Sequence, residues 1–412
     1  MSGKPSMFLV VLSLVGLVWE MAMAQSPRRI PSDPKYLLLD SRIIERAEGV
    51  RLALGKVEKD KHNPLFREDK PWEPRFDNLY ANVLFDEEEG IYKCWYSPFI
   101  IDESTTNTPR AKRGQLRYLG KHTGRRREMG VCYATSRDGI AWEKPELGLV
   151  EFEGSKKNNL VVRGPHGSGV MKDPRDPDPS RRYKMFFKAG HMSVAFSADG
   201  VRWSKAIACP EMAARGDTHN NAFWAPELGK YVGITRLWKG QRIVGRSESA
   251  DFLKWTKAVE VFKALPNEPR RQTYAMPVFR YANVYLGLVM MINRSDDTVD
   301  CELAWSPDTV HWERVCPGTP LIPRGPKGSA DWGCIYAAAC PVALDEPVTS
   351  FDSCHFAAKF LRFCLLAPNP LIEERAGGPS SGRAQLSKPV SREVFLAVDV
   401  HLPSIEELGF TI

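Results

Sequence analysis

Aspartates recur at corresponding positions along this 412-residue chain, each shortly before an apolar run. Asp77 and Asp217 both lie nine residues before a predicted hairpin turn, and the same count in another unit reaches Arg271. Asp173 and Asp331 stand near this position in two further units. Clustered carboxylates repel one another, which raises the pKa of at least one and lets it donate a proton. Together with an ionised carboxylate, such an acid is what cleavage of a glycosidic bond requires.

Polar and aromatic side chains accompany these carboxylates. The predicted partners for sugar hydroxyls are Arg271, Asn78, His219 and Asn220, and Trp332 offers a ring for a sugar face. Simpler interpretations remain open. The aspartates can cap strand starts, form turns or hold a structural cation such as calcium, and His219 can be an internally satisfied polar residue. No cofactor or metal site is predicted.

A repeated motif indicates which elements must position these residues. The pattern Ser-x-Asp-(Gly)-x-x-Trp begins at Ser136, Ser197, Ser249 and Ser306, at spacings of 61, 52 and 57 residues. Serine and aspartate oxygens can accept hydrogen bonds from backbone N–H groups in a turn, and the tryptophan returns an apolar face to a sheet. We interpret the motif as architecture and not as part of an active site.

Units of about four strands in roughly 40–60 residues are typical of propeller blades. Such units begin near residues 78, 169, 219, 273 and 333. The sequence therefore predicts an all-β fold, a five-bladed β-propeller with the starts of the inner strands around one acidic channel mouth. The last blade is predicted to be incomplete, because no fifth motif follows residue 336.

The chain is expected to divide into four parts. Residues 1–24 have the charged start, the apolar run and the Ala22-Met23-Ala24 cleavage site of a signal peptide, with an uncleaved anchor as the alternative. An entry segment over 25–75 precedes the propeller at 76–345, which carries a basic insertion at 100–128, and an atypical tail follows at 346–412. The sequence thus predicts secretion, and no other segment is long and apolar enough to span a membrane.

Three features resemble the five-bladed propeller glycosidases of glycoside hydrolase families 32 and 43. They are Arg75-Phe-Asp77-Asn78 before Tyr80-Ala-Asn-Val-Leu-Phe-Asp86, then Lys172-Asp173-Pro174, and the repeated Ser-x-Asp-Gly-x-x-Trp turns. More closely, the chain resembles secreted proteins with a family 32 N-terminal-like domain, over about residues 60–345.

The resemblance implies a role for each aspartate. It implies that Asp77 is the base or nucleophile, that Asp173 stabilises the transition state, and that Asp217 stands where the family carries a glutamate as acid. An aspartate reaches less far than a glutamate. The expected function is therefore glycoside hydrolysis, with a non-catalytic glycan-binding propeller as the alternative. A sialidase is the third reading, although its arginine triad cannot be assembled from the sequence.

Charge and composition limit the partners. The chain is 43% hydrophobic and carries a net charge of +7, so it is not intrinsically disordered. Eight basic residues and no acid lie in 110–127, which leaves −1 for the remainder. This segment is a solvated loop, a convertase site ending at Arg113, or a patch for anionic glycans. The predicted signal peptide argues against nucleic acid as a partner.

Two further features fit secretion. Nine cysteines favour disulfides, with at least one thiol left over and with Cys94 and Cys132 in apolar strand-like surroundings. Asn293-Arg294-Ser295 is a sequon that predicts glycosylation of Asn293.

Overall fold

Four antiparallel sheets form the blades of an all-β propeller in the computed structural model of this chain. The structure describes residues 37, 39–48, 53–55, 57, 59–60, 62–76, 78–107, 126–339, 341–342 and 383–386. No described helix is both long enough and apolar enough to cross a bilayer.

The strands follow one another along the chain blade by blade. Before the blades comes β1 (Ile44–Glu48). The first blade contains β2 (Asn82–Asp86), β3 (Ile91–Tyr96), β4 (Phe99–Asp102), β5 (Arg127–Ser136) and β6 (Leu160–Arg163). The second contains β7 (His166–Lys172), β8 (Tyr183–Ala189), β9 (His191–Ser197) and β10 (Ile207–Ala208).

The third and fourth blades repeat this order. The third contains β11 (Asn221–Ala225), β12 (Lys230–Trp238), β13 (Arg242–Ser249) and β14 (Val259–Phe262). The fourth contains β15 (Arg271–Ala275), β16 (Val278–Tyr281), β17 (Val284–Asn293), β18 (Thr298–Ser306) and β19 (Glu313–Val315). Last comes β20 (Arg383–Leu386), which pairs with β1. Helices are limited to α1 (Glu103–Thr106) and 3-10 turns at Ser41–Ile43, Pro179–Arg181 and Pro210–Met212.

The prediction of five blades was wrong, because the described residues form four. An extended segment at residues 333–339 lies between the fourth blade and the first. Its Ile335 N–H donates to Val299 O of β18 at 2.9 Å, and its Ala339 N–H donates to Ala81 O before β2 at 3.0 Å. One segment therefore bridges the position at which a complete fifth blade was expected.

The four predicted motif turns adopt one geometry. In the first, Ser136 Oγ accepts from the Gly139 N–H at 2.9 Å, and Asp138 Oδ1 accepts from the Ile140 and Ala141 N–H groups at 2.7 and 2.8 Å. The Trp142 indole N–H donates back to Gly139 O at 3.1 Å. Equivalent indole bonds are made by Trp203, Trp255 and Trp312. The Ser-x-Asp-x-x-Trp pattern is therefore an architectural turn.

Apolar side chains pack between neighbouring blades and hold them together. Trp95 and Tyr183 join the first and second blades at a ring separation of 5.7 Å, and Phe186 and Trp255 join the second and third at 4.8 Å. These four side chains are at most 4% exposed. The main cores of the propeller thus lie between its sheets.

The inner strand of each blade is the first one in the sequence: β2, β7, β11 and the β15–β16 pair. Asn82 and Asn221 bond across to the backbone of the next inner strand, at Val170 and Val278 respectively. A Cβ on Gly169 would lie 2.1 Å from Asn220 O, so only glycine permits this approach of β7 to β11. We call the end where inner strands begin the mouth end, and the end where they turn back the turn end.

Candidate active site

Four side chains at the mouth end occupy matching places in the four blades. Each stands four residues before Asn82, Val170, Asn221 or Val278, the positions that link neighbouring inner strands. They are Asn78, His166, Asp217 and Tyr274. Asn78 Nδ2 donates to the Tyr274 hydroxyl at 3.0 Å, and His166 Nε2 lies 2.8 Å from Asp217 Oδ1. The inner strands therefore bring these four residues to one end of the propeller.

Two basic side chains lie beside the Asp217 carboxylate. His166 is in contact with it, and Arg236 Nη1 of β12 lies 3.4 Å from Asp217 Oδ2. The hydrogen bond from His166 and the charge of Arg236 hold the pKa of Asp217 well below its usual range, although burial opposes them. The Asp217 side chain remains 59% exposed. It is thus an accessible, ionised carboxylate, and not the protonated acid that mutual repulsion of carboxylates predicted.

The ring of Tyr80 lies next to His166, which contacts this carboxylate. Tyr80 is 2% exposed, and its ring lies 5.8 Å from His166 and 5.3 Å from His219. Asn78 Nδ2 donates to the Tyr80 hydroxyl at 2.5 Å. Burial raises the pKa of Tyr80 far above its usual value, so this phenol stays protonated.

Two arginines that the sequence analysis did not select complete the cluster. The Arg236 guanidinium lies 4.6 Å from the centre of the Tyr274 ring, and that of Arg242 lies 5.5 Å from it. Arg236 Nη2 also donates to Tyr274 O. They were missed because β12 and β13 carry them toward the mouth end, whereas the search considered only the starts of inner strands. His166 was missed because β7 begins earlier than predicted, directly after Gly164-Pro165.

Asp173 lies at the turn end, which corrects its predicted position at the start of an inner strand. It follows the last residue of β7, and that strand spans roughly 20 Å from His166. Its carboxylate is 1% exposed, accepts from the Tyr231 hydroxyl at 2.5 Å and lies 3.2 Å from Lys184 Nζ. The structure does not bring Asp173 to Asp217.

Three more predicted residues lie outside the cluster. Arg271 starts β15 in the fourth blade, and Asp331 and Trp332 lie in the chain after β19. Arg271 Nη2 lies 2.7 Å from Glu302 Oε1, so its charge is already matched by a buried acid. Asp331 pairs with Lys59, and Trp332 is 7% exposed. Asp217 is therefore the carboxylate that the described residues place in the mouth-end cluster, and the predicted convergence of four carboxylates is not found there.

His219 and Asn220 are both buried in the cluster region; Asn220 is internally satisfied, whereas His219 Nδ1 has no hydrogen-bond partner among the described residues. His219 Nε2 lies 3.3 Å from Asn82 Oδ1, and burial lowers the pKa of His219 to about 3, so the imidazole is neutral. Asn220 Nδ2 donates to Gly167 O at 2.9 Å, while its Oδ1 accepts from Thr235 Oγ1 at 2.6 Å. Both support the inner strands and are at most 1% exposed.

Other predicted residues are placed as follows. Asp77, Ala24 and Arg113 lie outside the described residues. Asn293 ends β17 at the mouth end, where its Oδ1 accepts from the Ser295 N–H at 3.0 Å. Among the described residues no group of three His, Cys, Asp or Glu side chains is arranged to hold a metal ion.

The expected disulfides are not found between cysteines of the described residues. Cys94 and Cys132 are both fully buried on neighbouring strands, as the apolar surroundings predicted. The register pairs Cys94 with Ala134 and Tyr96 with Cys132, so the two sulfurs are not opposite each other.

The sequence matches no family model and no curated protein. Among solved structures, the chain is similar to an N-acetylgalactosamine deacetylase from F. plautii, with 17% identity, 73% of this chain and 83% of that chain covered, and a TM-score of 0.47. A GH130-family structure gives 15% identity, 71% and 89% coverage, and 0.46. A fructofuranosidase from Schwanniomyces occidentalis gives 11%, 72% and 52%, and 0.40. At these identities and TM-scores, no function of those proteins is assigned to this chain.

Proposed function

We propose that this chain is a secreted, carbohydrate-active propeller that binds a glycan at the mouth end. The observation that carries the proposal is the exposed, ionised Asp217 carboxylate, held between His166 and Arg236 at the start of an inner strand. Binding sites combine a few converging polar groups with apolar or aromatic surface. The mouth-end cluster has both.

Each part of the cluster suits a part of a sugar. A carboxylate accepts hydrogen bonds from hydroxyl groups, whereas a guanidinium donates them. The ionised Asp217 is the acceptor, Arg236 is a donor, and Tyr274, beside two guanidinium groups, adds an aromatic ring. Charge-assisted hydrogen bonds are about twice as strong as neutral ones, so Asp217 makes the largest single contribution.

Hydrolysis of a glycosidic bond is the second candidate, and one observation favours it. Asp77 directly precedes Asn78, whose amide contacts Tyr80 and Tyr274 in the cluster. We assign Asp77 and Asp217 as the pair of carboxylates for this reaction. Because the pKa of Asp217 is low, we assign it the role of base or nucleophile and Asp77 that of proton donor, which reverses the roles that the resemblance implies.

Secretion is part of the proposal. It rests on the signal-like segment 1–24, with cleavage after Ala24, and on the sequon at Asn293. We further propose that the basic segment 110–127 is cleaved after Arg113 or binds an anionic glycan. Intact-mass measurement of the protein secreted from eukaryotic cells reports all three modifications.

The binding proposal is tested with the secreted full chain on a glycan array, followed by calorimetry with the glycans retained. Asp217→Asn removes the charge but keeps the shape, so we expect binding at least about tenfold weaker. Asp178→Asn is the matched control, because Asp178 is exposed beside the 3-10 turn that precedes β8 at the turn end. Equal binding by the wild type and Asp217→Asn would contradict the proposal.

Hydrolysis is tested separately with Asp77→Asn on any glycan that binds. Loss of product release with retained binding supports the enzyme. If the wild type releases no product from any bound glycan, the chain is a binding propeller.

A further inference from the structure

Four basic side chains around the mouth-end cluster have no acidic partner among the described residues. They are Lys188, Arg215, Arg242 and Arg294. Among the described residues, no carboxylate lies within 4 Å of the cationic group of these four. The described surroundings of Asp217 are therefore rich in basic groups, whereas the sequence analysis predicted an acidic mouth.

Arg242 shows this imbalance most clearly. Its side chain bonds Gln272 Oε1 through Nη1 at 3.0 Å, which is a neutral acceptor. Burial lowers the pKa of Arg242, and the charges of Arg236 and Arg294 lower it further. Like charges repel, so the proximity of these arginines costs free energy in the unliganded protein. A bound anion would remove that cost.

The guanidinium groups of Arg236 and Arg242 each contain one nitrogen that lacks an acceptor among the described residues. The Nε atoms of Arg236 and Arg242 are buried, and neither has a hydrogen-bond partner among the described residues. Buried donors are normally satisfied, and an unsatisfied one calls for an explanation such as an absent ligand. The two guanidinium groups lie 4.6 and 5.5 Å from the centre of the Tyr274 ring, so both belong to the same neighbourhood.

We propose that the mouth end recognises an anionic sugar, with its carboxylate or sulfate held between Arg236 and Arg242. This inference rests on the proposed function and adds the substrate class. The planar guanidinium fork matches an oxyanion in either form. Asp217 lies at Nη1 of Arg236, so the unpartnered Nε of Arg236 remains for the anion, while Asp217 accepts hydrogen bonds from sugar hydroxyls.

Matched ligand pairs test the inference by calorimetry on the full-length secreted protein. One pair is a uronic-acid oligosaccharide and its carboxyl-reduced neutral form, and the other is a sulfated oligosaccharide and its desulfated form. We expect the anionic member of one pair to bind at least about tenfold more tightly, with an affinity that falls as salt is added. The pair that shows the difference identifies the oxyanion.

Variants then assign the difference to Arg242. Arg242→Gln should reduce the ratio of the two affinities from about tenfold to near one, and Arg242→Lys should restore only part of it, since lysine keeps the charge and loses the fork. Arg202→Gln is the control, because Arg202 pairs with Asp199 in a motif turn at the turn end. A circular dichroism melt confirms that each variant is folded.

The outcomes separate the inference from the proposed function. If the neutral members bind as tightly as the anionic ones, the anionic class is wrong and glycan binding stands. If Arg242→Gln leaves the ratio unchanged, the assigned position is wrong. If neither member of either pair binds and the glycan array is empty, the proposed function and the inference both fail.

Discussion

Two imidazoles at the mouth end, His166 and His219, flank the same Tyr80 ring in opposite surroundings. His166 is 26% exposed and faces the Asp217 carboxylate, whereas His219 is 1% exposed and faces an amide oxygen of Asn82. The first is a partly exposed residue in contact with the carboxylate of the cluster. The second is a buried neutral residue that supports the inner strands.

The burial of His219 predicts how stability depends on pH. Its folded-state pKa of about 3 lies below the unfolded value near 6.5, so its contribution is complete above pH 6.5 and is lost as pH falls toward 3. Between pH 7.5 and 5.0 the wild type should lose about 2 kcal/mol more free energy of unfolding than His219→Gln. Urea unfolding at the two pH values measures this, and parallel losses would contradict it.

Sequence reasoning located part of the mouth-end cluster. Asp217 and Asn78 are in it, because a hairpin turn fixes the count back along an inner strand. Arg236 and Arg242 could not be found in this way, since they come from the second and third strands of a blade. Which side chains of those strands meet at the mouth depends on how neighbouring blades pack, and no local pattern encodes that.

At the scale of elements, an acid at or just after the end of each of the first three inner strands contacts the next blade. Asp86 accepts from the Tyr183 hydroxyl at 2.6 Å and Asp173 from the Tyr231 hydroxyl at 2.5 Å, and Glu227 accepts from Tyr285. These three tyrosines occupy the same register, each opposite the serine of a motif turn. The acid–tyrosine contacts thus join successive blades at the turn end.

Removal of one such contact should weaken the packing of two neighbouring blades and lower the free energy of unfolding. Tyr231→Phe deletes the hydroxyl that donates to the buried Asp173 carboxylate, and a hydrogen bond to a charged group contributes roughly 1–3 kcal/mol. Tyr133→Phe is the control, because its hydroxyl has no hydrogen-bond partner among the described residues and the residue is 5% exposed. Denaturant unfolding should rank Tyr231→Phe as the less stable variant, and the reverse order would refute the role.

The motif turns and the strand content were predictable from local chemistry, because serine, aspartate and tryptophan each act within six residues. The start of β7 was not. Lys172-Asp173-Pro174 has the composition of a strand start followed by a turn, yet the strand before it is the inner one. Because β7 begins a few residues earlier than predicted, Asp173 lies at its turn end and not at its mouth end.

At the scale of the whole molecule, the ring of four blades is closed by the segment at 333–339. Ile335 is fully buried in the core of the fourth blade, and Ala338 packs with residues of the first blade. The four motifs match the four described blades, whereas counting the unit starts took this bridge for the beginning of a fifth blade. The decisive contacts join parts of the chain about 250 residues apart, which no periodicity reports.

Closure by one segment makes its buried side chains important for stability. Ile335→Ala should lower the free energy of unfolding by about 2–5 kcal/mol, the usual cost of a large-to-small change in a core. Val259→Ala is the matched exposed change, at 54% exposure, and should stay within about 0.5 kcal/mol. Similar melting temperatures for the two variants would show that the segment does not close the ring.

The acid–tyrosine contacts have a consequence for how such a protein can change. They lie at one end of the inner strands, while the connections at 103–107, 190, 239–241 and 294–297 leave the sheets at the other. A mouth connection can therefore be lengthened or replaced while the fastening of one blade to the next is untouched. New specificities can be built on one rim of this scaffold at little risk to its folding.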